Sequence, residues 1–144
     1  MAEPYRIDID SSDFDLKIGL LGSGMEEAGP VVIEKTTNLL KQELINITPV
    51  RTGKLRDSIA SINFGLTGEV STNSGYGLFV DVDTKAHKIK GNPFLRFEIG
   101  GKTIYRRQVF HPGTKGQKLR IRTLHNSKNG VKEILAKVFL DMMT

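Results

Sequence analysis

The stretch Thr48–Ile59, T-P-V-R-T-G-K-L-R-D-S-I, decides how the chain is organised. Pro49 has no amide hydrogen and a fixed φ, so it cannot continue a helix and pushes Thr48 toward extended geometry. A preceding helix therefore has to end here, and the residues after Pro49 are predicted to turn the chain, with Thr52 capping the next element. Lys54 to Ile59 are expected to form a helical turn or to lead into a strand. The junction also carries a basic surface.

Helices are predicted on the N-terminal side of this junction and at the C-terminal end of the chain. The first is predicted to begin at about Glu26 or at Pro30, which suits a first turn, and to end at Ile47. Its apolar stripe has the spacing of one helix face and consists of Ile33, Leu40, Leu44 and Ile47. The last helix carries a similar stripe, Val131, Ile134, Leu135, Val138 and Met142, and its candidate caps are Asn126, Ser127 and Asn129.

Short strands are predicted around and between these helices. Apolar residues alternate with acidic ones over Tyr5–Leu21, which indicates one or two half-buried strands. Further strands are predicted at Ile62–Phe64, Glu69–Ser71, Tyr76–Val82, Phe94–Ile99 and Ile104–Phe110. Within these segments, Leu55, Ile59, Tyr76 and Phe79 are expected in the core, whereas Thr52, Gly53, Pro112 and Gly113 are expected to shape the backbone.

Gly100-Gly101 indicates a β-hairpin between the last two strands. A two-residue loop would set Phe97 against Ile104 but Leu95 against Arg106, so the register stays open. The predicted fold is α+β, a single domain over residues 1–144. In it, one long helix in the N-terminal half and a C-terminal helix pack on a sheet of short antiparallel strands, with a long hairpin excursion.

Four motifs in order carry a resemblance to a known family. They are the Pro-Val-x-Thr-Gly-x-Leu-Arg-x-Ser-Ile run of the junction, the aromatic and acidic residues at 76–81, the His-x-Ile step at 87–89, and His-Pro-Gly-Thr-Lys-Gly-Gln at 111–117. With the apolar C-terminal helix, the chain resembles the tail-component, or tail-completion (neck), family of long-tailed bacteriophages typified by the HK-ninety-seven prophage protein. The resemblance covers roughly residues 30 to 142.

The resemblance implies a virion structural protein of the head–tail junction, made in the host cytoplasm. Copies are expected to form a ring, six-fold or matched to six-fold symmetry, that joins tail to head and lets DNA pass. The implied partners are further copies, a head connector or stopper, and a tail tube or terminator protein. No membrane partner, enzyme activity or cofactor is expected.

Charge is distributed unevenly along the chain. Residues 1–84 hold 7 Lys and Arg against 13 Asp and Glu, whereas residues 85–128 hold 12 against Glu98 alone. Such asymmetry indicates a complementary neighbour or nucleic acid, although a basic segment can also be a solvated loop. The predicted subunit or partner interface is Arg51, Lys54, Arg56 and the excursion from Lys85 to Lys118, with Lys88, Arg106, Arg107 and Lys115.

The same basic segment supports a second hypothesis, a non-specific DNA-binding module or a lining of the ring lumen. Phosphate contacts of this kind are independent of DNA sequence and sensitive to salt. The candidate DNA contacts are Lys102, Arg106, Arg107, Arg120 and Arg122.

Residues that carry catalytic or metal chemistry are sparse. The chain has no cysteine, and its three histidines, His87, His111 and His125, lack ligand spacing, so no metal site is predicted. A His before Pro-Gly more often supplies a turn hydrogen bond. Asp81 and Asp83 would point the same way on a strand, without a reason to act as an acid and base pair.

Overall fold

The computed structural model describes residues 6–10 and 24–144. In these residues the chain forms an α+β fold, as predicted from the sequence. In chain order the elements are β1 (Arg6–Asp10), α1 (Gly24–Ile47), α2 (Lys54–Asp57), β2 (Ile59–Phe64), β3 (Thr67–Thr72), α3 (Gly77–Asp81), β4 (His87–Ile99), β5 (Lys102–His111) and α4 (Leu119–Met143). β1 confirms a strand in the predicted Tyr5–Leu21 region, and Tyr5 and residues 11–21 of that prediction lie outside the described part of the chain.

Helix α1 ends at the position predicted from Pro49. The amide and the hydroxyl of Thr48 both donate to the carbonyl of Leu44, at 3.0 and 2.5 Å, and so close the last turn. Two starts were predicted for α1. Glu26 is within two residues of the observed start at Gly24, whereas the start at Pro30 is wrong, because Pro30 lies inside the helix.

The main core lies between α1 and a three-stranded antiparallel sheet in the order β1-β3-β2. Its buried members are Leu40, Leu44, Ile59, Val70 and Leu119. Gly68 of β3 allows this close approach, since a Cβ at that position would overlap the hydroxyl of Thr37 on α1.

Helix α4 packs antiparallel along α1, with Val138 against Ala28 and Val32, and Leu119 beside Leu40 and Leu44. It begins at Leu119, so the predicted start near Asn126 to Asn129 is wrong. Asn126 lies on the helix surface and donates to the carboxylate of Glu43 on α1 at 2.6 Å.

The strand predicted at Tyr76–Val82 is wrong, because Gly77–Asp81 form the short helix α3. A helical turn places Gly77, Val80 and Asp81 toward the core, and leaves Tyr76 and Phe79 exposed at 42% and 53%. The expectation that Tyr76 and Phe79 are core residues is therefore wrong, whereas Leu55 and Ile59 are buried as predicted.

At the junction, Thr52 does not cap the next helix. The N-cap of α2 is Gly53, at φ 81°, which has no side chain that could make a capping hydrogen bond. The Gly53 carbonyl instead accepts from the Asp57 amide at 2.8 Å. A left-handed φ is accessible to glycine at little cost, so Gly53 makes the turn that the sequence placed here.

Within residues 6–10 and 24–144, no helix combines the length and the apolar content needed to cross a bilayer.

Candidate functional site

Strands β4 and β5 form a two-stranded antiparallel sheet of their own, the hairpin (residues 87–111). Gly100 and Gly101 connect them at φ 55° and 75°, the positive angles of a tight hairpin turn. The sequence left the register open between a two-residue loop and a longer or bulged connection. The structure has the register of the two-residue loop, with Phe97 opposite Ile104 and Leu95 opposite Arg106.

The hairpin is irregular in only one strand. Lys90 pairs with Gln108, and Leu95 pairs with Arg106, so the residues 91–94 of β4 stand against Arg107 alone. The extra residues form a bulge, which bends a strand and increases its twist. Beneath Arg107 lies Phe94, with the guanidinium carbon 5.7 Å from the ring centroid, a cation–π contact.

The register divides the hairpin into two different faces, because directly paired residues share a face. One face carries Leu95, Phe97, Ile99 and Ile104 beside Lys102 and Arg106, and is named here the apolar–basic face. The other face carries Arg96, Tyr105 and Arg107. No residue of either strand is buried.

The base of the hairpin is held by hydrogen bonds to the rest of the chain. The Thr84 amide donates to the Thr114 carbonyl at 2.8 Å, and the Gly116 amide donates to a carboxylate oxygen of Asp83 at 2.7 Å. The Gln117 amide donates to the Val80 carbonyl at 2.7 Å. The hairpin is thus anchored at its base and exposed along its length.

His111 supplies the turn hydrogen bond predicted for a histidine before Pro-Gly. Its Nδ1 accepts from the Gly113 amide at 3.1 Å, and its ring lies 5.2 Å from that of His87. In the described part of the chain, no group of three His, Cys, Asp or Glu residues is arranged to hold a metal ion.

A buried carboxylate joins α3 to α4 behind this base. Asp81, whose side chain is 3% exposed, accepts from Arg120 twice: from its guanidinium Nε at 2.7 Å and from its amide at 3.0 Å. Because the first amides of a helix have no partner within it, this carboxylate caps α4 from another part of the chain.

The structure separates the basic residues that the sequence grouped. Arg106 and Arg107 are consecutive on β5, so they lie on opposite faces of the hairpin. Lys85, Lys88, Lys102 and Lys115 are exposed along the hairpin and its base.

Two further predicted DNA contacts lie at the start of α4 rather than on the hairpin. Arg120 is ion-paired with Asp81, and Arg122 donates from Nη1 to the Gln117 carbonyl at 3.4 Å. They are therefore positioned by the base of the hairpin and not by its strands.

The basic residues of the junction lie elsewhere. Arg51 and Lys54 line an open groove of about 560 Å³ together with Val50, Leu55, Tyr76 and Val80. Arg56 contacts the neighbouring Asp57 at 3.3 Å. The predicted interface is therefore two regions, the groove and the hairpin.

A comparison with models of protein families shows to which family the chain belongs. The model described as Bacteriophage HK97-gp10, putative tail-component, matches residues 13–105. The chain belongs to this family. No match is found among curated proteins or among solved structures.

Membership in this phage family confirms the resemblance seen in the sequence. A phage tail component is a structural, virion-associated protein that contacts other virion proteins. The matched residues include the junction, all of β4 and the first residues of β5.

Sequence reasoning missed a second exposed region on β2. Ile62 and Phe64 alternate as expected of a strand, but Asn63 between them is on the side of α1, so these two apolar side chains point outward. The alternation was the available signal, and the side that faces the core could not be read from it.

Proposed function

We propose that this tail component is a structural protein of the head–tail junction, a neck or tail-completion component. Its copies close into a six-fold ring that joins the tail to the head and lets DNA pass. The family supports the virion role, and the hairpin supports the assembly role.

The observation that carries the proposal is the hairpin without a buried residue. A two-stranded sheet alone is marginally stable in water and needs packing on one face. Phe94, Ile99, Tyr105 and Phe110 of the hairpin are 51–64% exposed. Such a surface is typical of a protein that completes its packing with a neighbour.

The charge of the chain favours neighbours that meet through two different faces. Contacts between unlike faces close into a ring when the rotation between copies permits it. The acidic first part and the basic segment 85–128 supply opposite charges for such contacts. The remaining partners are a head connector or stopper on one side, and a tail tube or terminator protein on the other.

The test is electron microscopy of particles from a producer that lacks this gene. Filled heads beside unattached or malformed tails support the neck role, and the wild-type gene supplied in trans should restore joined particles. Normal, infectious particles from the deleted producer would refute it.

DNA contact is a second candidate function, favoured by one observation: β5 has no acidic residue, and segment 85–128 contains only Glu98. Lys102 and Arg106 on one face of the hairpin, or Arg107 on the other, would then contact the passing DNA, with Arg120 and Arg122 at the base. Weak, sequence-independent attraction suits a lumen, because tight binding would stall DNA passage.

The double substitution Arg106→Ala and Arg107→Ala separates the two functions. Lost association of subunits indicates a contact between copies, whereas intact rings with impaired DNA passage indicate a lumen. Lys132→Ala with Lys137→Ala is the matched control, since it removes the same charge from exposed positions of α4. A free DNA-binding module would instead bind DNA by itself with affinity that falls steeply with salt.

A further inference from the structure

The bulge of β4 changes which residues share a face of the hairpin. Lys90 and Leu95 are separated by an odd number of positions, so an unbroken strand would place them on opposite faces. The structure instead pairs Lys90 with Gln108, and Leu95 with Arg106. Because these two partners lie two positions apart on β5, Lys90 and Leu95 share one face. The apolar–basic face therefore continues past the bulge, where it carries Lys88, Lys90, Gln108 and Phe110.

Gly91 allows the chain to fold back closely inside the bulge. A Cβ at this position would overlap the backbone of Phe94 and of Leu95. Bulges re-aim side chains and are built features of a sheet. This bulge collects four cations on one face of the hairpin, named here the cation row: Lys88, Lys90, Lys102 and Arg106.

The two faces of the hairpin differ in charge. The single acidic residue of the hairpin, Glu98, is opposite Thr103, so it lies on the face away from the cation row. That other face carries two cations, Arg96 and Arg107, beside Glu98. All four side chains of the cation row are exposed, and none of them forms an ion pair with another described residue. The cation row is thus a line of free positive charges without a negative one.

The apolar residues of this face lie beneath and beyond the charged groups. Leu95, Phe97 and Ile104 are half-buried, and Ile99 and Phe110 lie at the two ends of the face. Lys and Arg lay their methylene groups along such apolar surface and keep their charged ends in water. The row extends over eight positions of β5, which is about 27 Å at about 3.4 Å per residue.

We propose that the cation row contacts the phosphates of the duplex DNA that passes through the ring. This inference rests on the proposed ring and selects the face of the hairpin that meets the DNA. The opposite face, with Arg96, Tyr105 and Arg107, is left for contacts between copies.

Duplex DNA suits the cation row in charge and in dimensions. Each of its strands carries one negative charge per about 3.4 Å of axis, so the row spans about eight base pairs. The major groove, about 12 Å wide, admits a two-stranded β-ribbon. A protein surface mixes both signs of charge, and this face has no acidic residue to pair with the basic ones of such a partner.

The salt dependence of DNA binding by the purified full chain tests the cation row. The probe is a labelled duplex of mixed sequence, about 20 base pairs long and so longer than the row. The logarithm of the binding constant falls with the logarithm of the salt concentration by about 0.9 per phosphate contact, so four contacts predict a slope of about −3.6. The double variant Lys90→Ala, Arg106→Ala should have a slope of about −1.8, because two contacts remain.

The matched control removes the same charge from outside the cation row. Arg96→Ala with Lys132→Ala takes one cation from the opposite face of the hairpin and one from the exposed surface of α4. Its slope should stay at about −3.6. Equal slopes for the two double variants would overturn the proposal, because the attraction would then come from the net charge of the chain. A wild-type chain that does not bind the duplex at low salt would also overturn it.

Particles separate this inference from the neck role. Supplied to the producer lacking the gene, the variant Lys90→Ala, Arg106→Ala should restore joined particles, of which a smaller share release their DNA than with the control variant. An equal share would overturn the place of the cation row in the lumen. Unattached tails, with DNA binding equal to that of the control, would show that the row contacts a protein and would overturn the proposal too. The slopes of the free chain do not depend on the neck role, which normal particles from the deleted producer would refute.

Discussion

Replacing Asp81 with Ala removes the carboxylate that holds the base of the hairpin to α4. Two hydrogen bonds from Arg120 are lost, at 2.7 and 3.0 Å, from a side chain that is 3% exposed. A hydrogen bond to a charged group contributes about 1.5–3 kcal/mol, and an amide left without a partner at a helix start adds to the cost. The Arg120 side chain is 41% exposed and regains water, so its guanidinium bond contributes at most about 1 kcal/mol and the larger penalty of an unpaired buried charge is avoided.

We therefore expect Asp81→Ala to lower the free energy of unfolding by about 2–3 kcal/mol. For a domain of this size, that corresponds to a fall in Tm of about 5–10 °C. Urea unfolding followed by circular dichroism measures the first quantity, and thermal unfolding measures the second. Amide exchange at Arg120 should also become faster, because its hydrogen-bond acceptor is gone.

Asp83→Ala is the matched control, since Asp83 is exposed and accepts one hydrogen bond, from the Gly116 amide. Its cost should be at most about 1 kcal/mol. A double-mutant cycle between Asp81 and Arg120 should show coupling, because the two side chains are in direct contact. If Asp81→Ala costs no more than Asp83→Ala, the argument that Asp81 caps α4 and anchors the hairpin is refuted.

Two further predictions concern the core and the hairpin base. Leu44→Ala should lower the free energy of unfolding in urea by about 2–5 kcal/mol, because Leu44 is fully buried in the main core. The control Leu124→Ala, at a residue 53% exposed, should lower it by less than about 0.5 kcal/mol. Similar losses of stability in the two variants would contradict the assignment of the core. Gly113→Ala should destabilise more than Gly101→Ala, since both glycines have positive φ but only a Cβ at 113 would overlap the Thr84 carbonyl. Equal thermal shifts for these two variants would show that the contact at the hairpin base is not tight.

Local signals in the sequence were sufficient for the elements whose bounds depend on neighbouring residues. Pro49 ended α1, the apolar stripe through Leu40 and Leu44 predicted its buried face, and Gly100-Gly101 predicted the hairpin turn. These features follow from backbone geometry and side-chain periodicity, which act over a few residues.

Long-range contacts decided the elements that the sequence reasoning missed. Residues 76–81 have the aromatic and β-branched composition of a strand, yet they form a helical turn because Val80 and Asp81 pack on the core and on α4. Helix α4 begins at Leu119 without a local capping side chain, since its cap comes from Asp81, which is 39 residues before the Arg120 amide that it accepts from. A carboxylate at that distance leaves no pattern in the sequence around Leu119.

The candidate interaction surface was also predicted in part from local sequence and decided in part by long-range contacts. The sequence by itself determined that residues 85–128 are basic and that a hairpin lies among them, because charge and turn-forming residues are identified from the local sequence alone. Only the tertiary structure decided that Arg106 and Arg107 lie on opposite faces, that the hairpin pairs with no other strand among the described residues, and that Ile62 and Phe64 face outward. The direction of a strand's side chains is set by what packs beneath it, here α1 against Ile59 and Val70, and that packing exists only after folding.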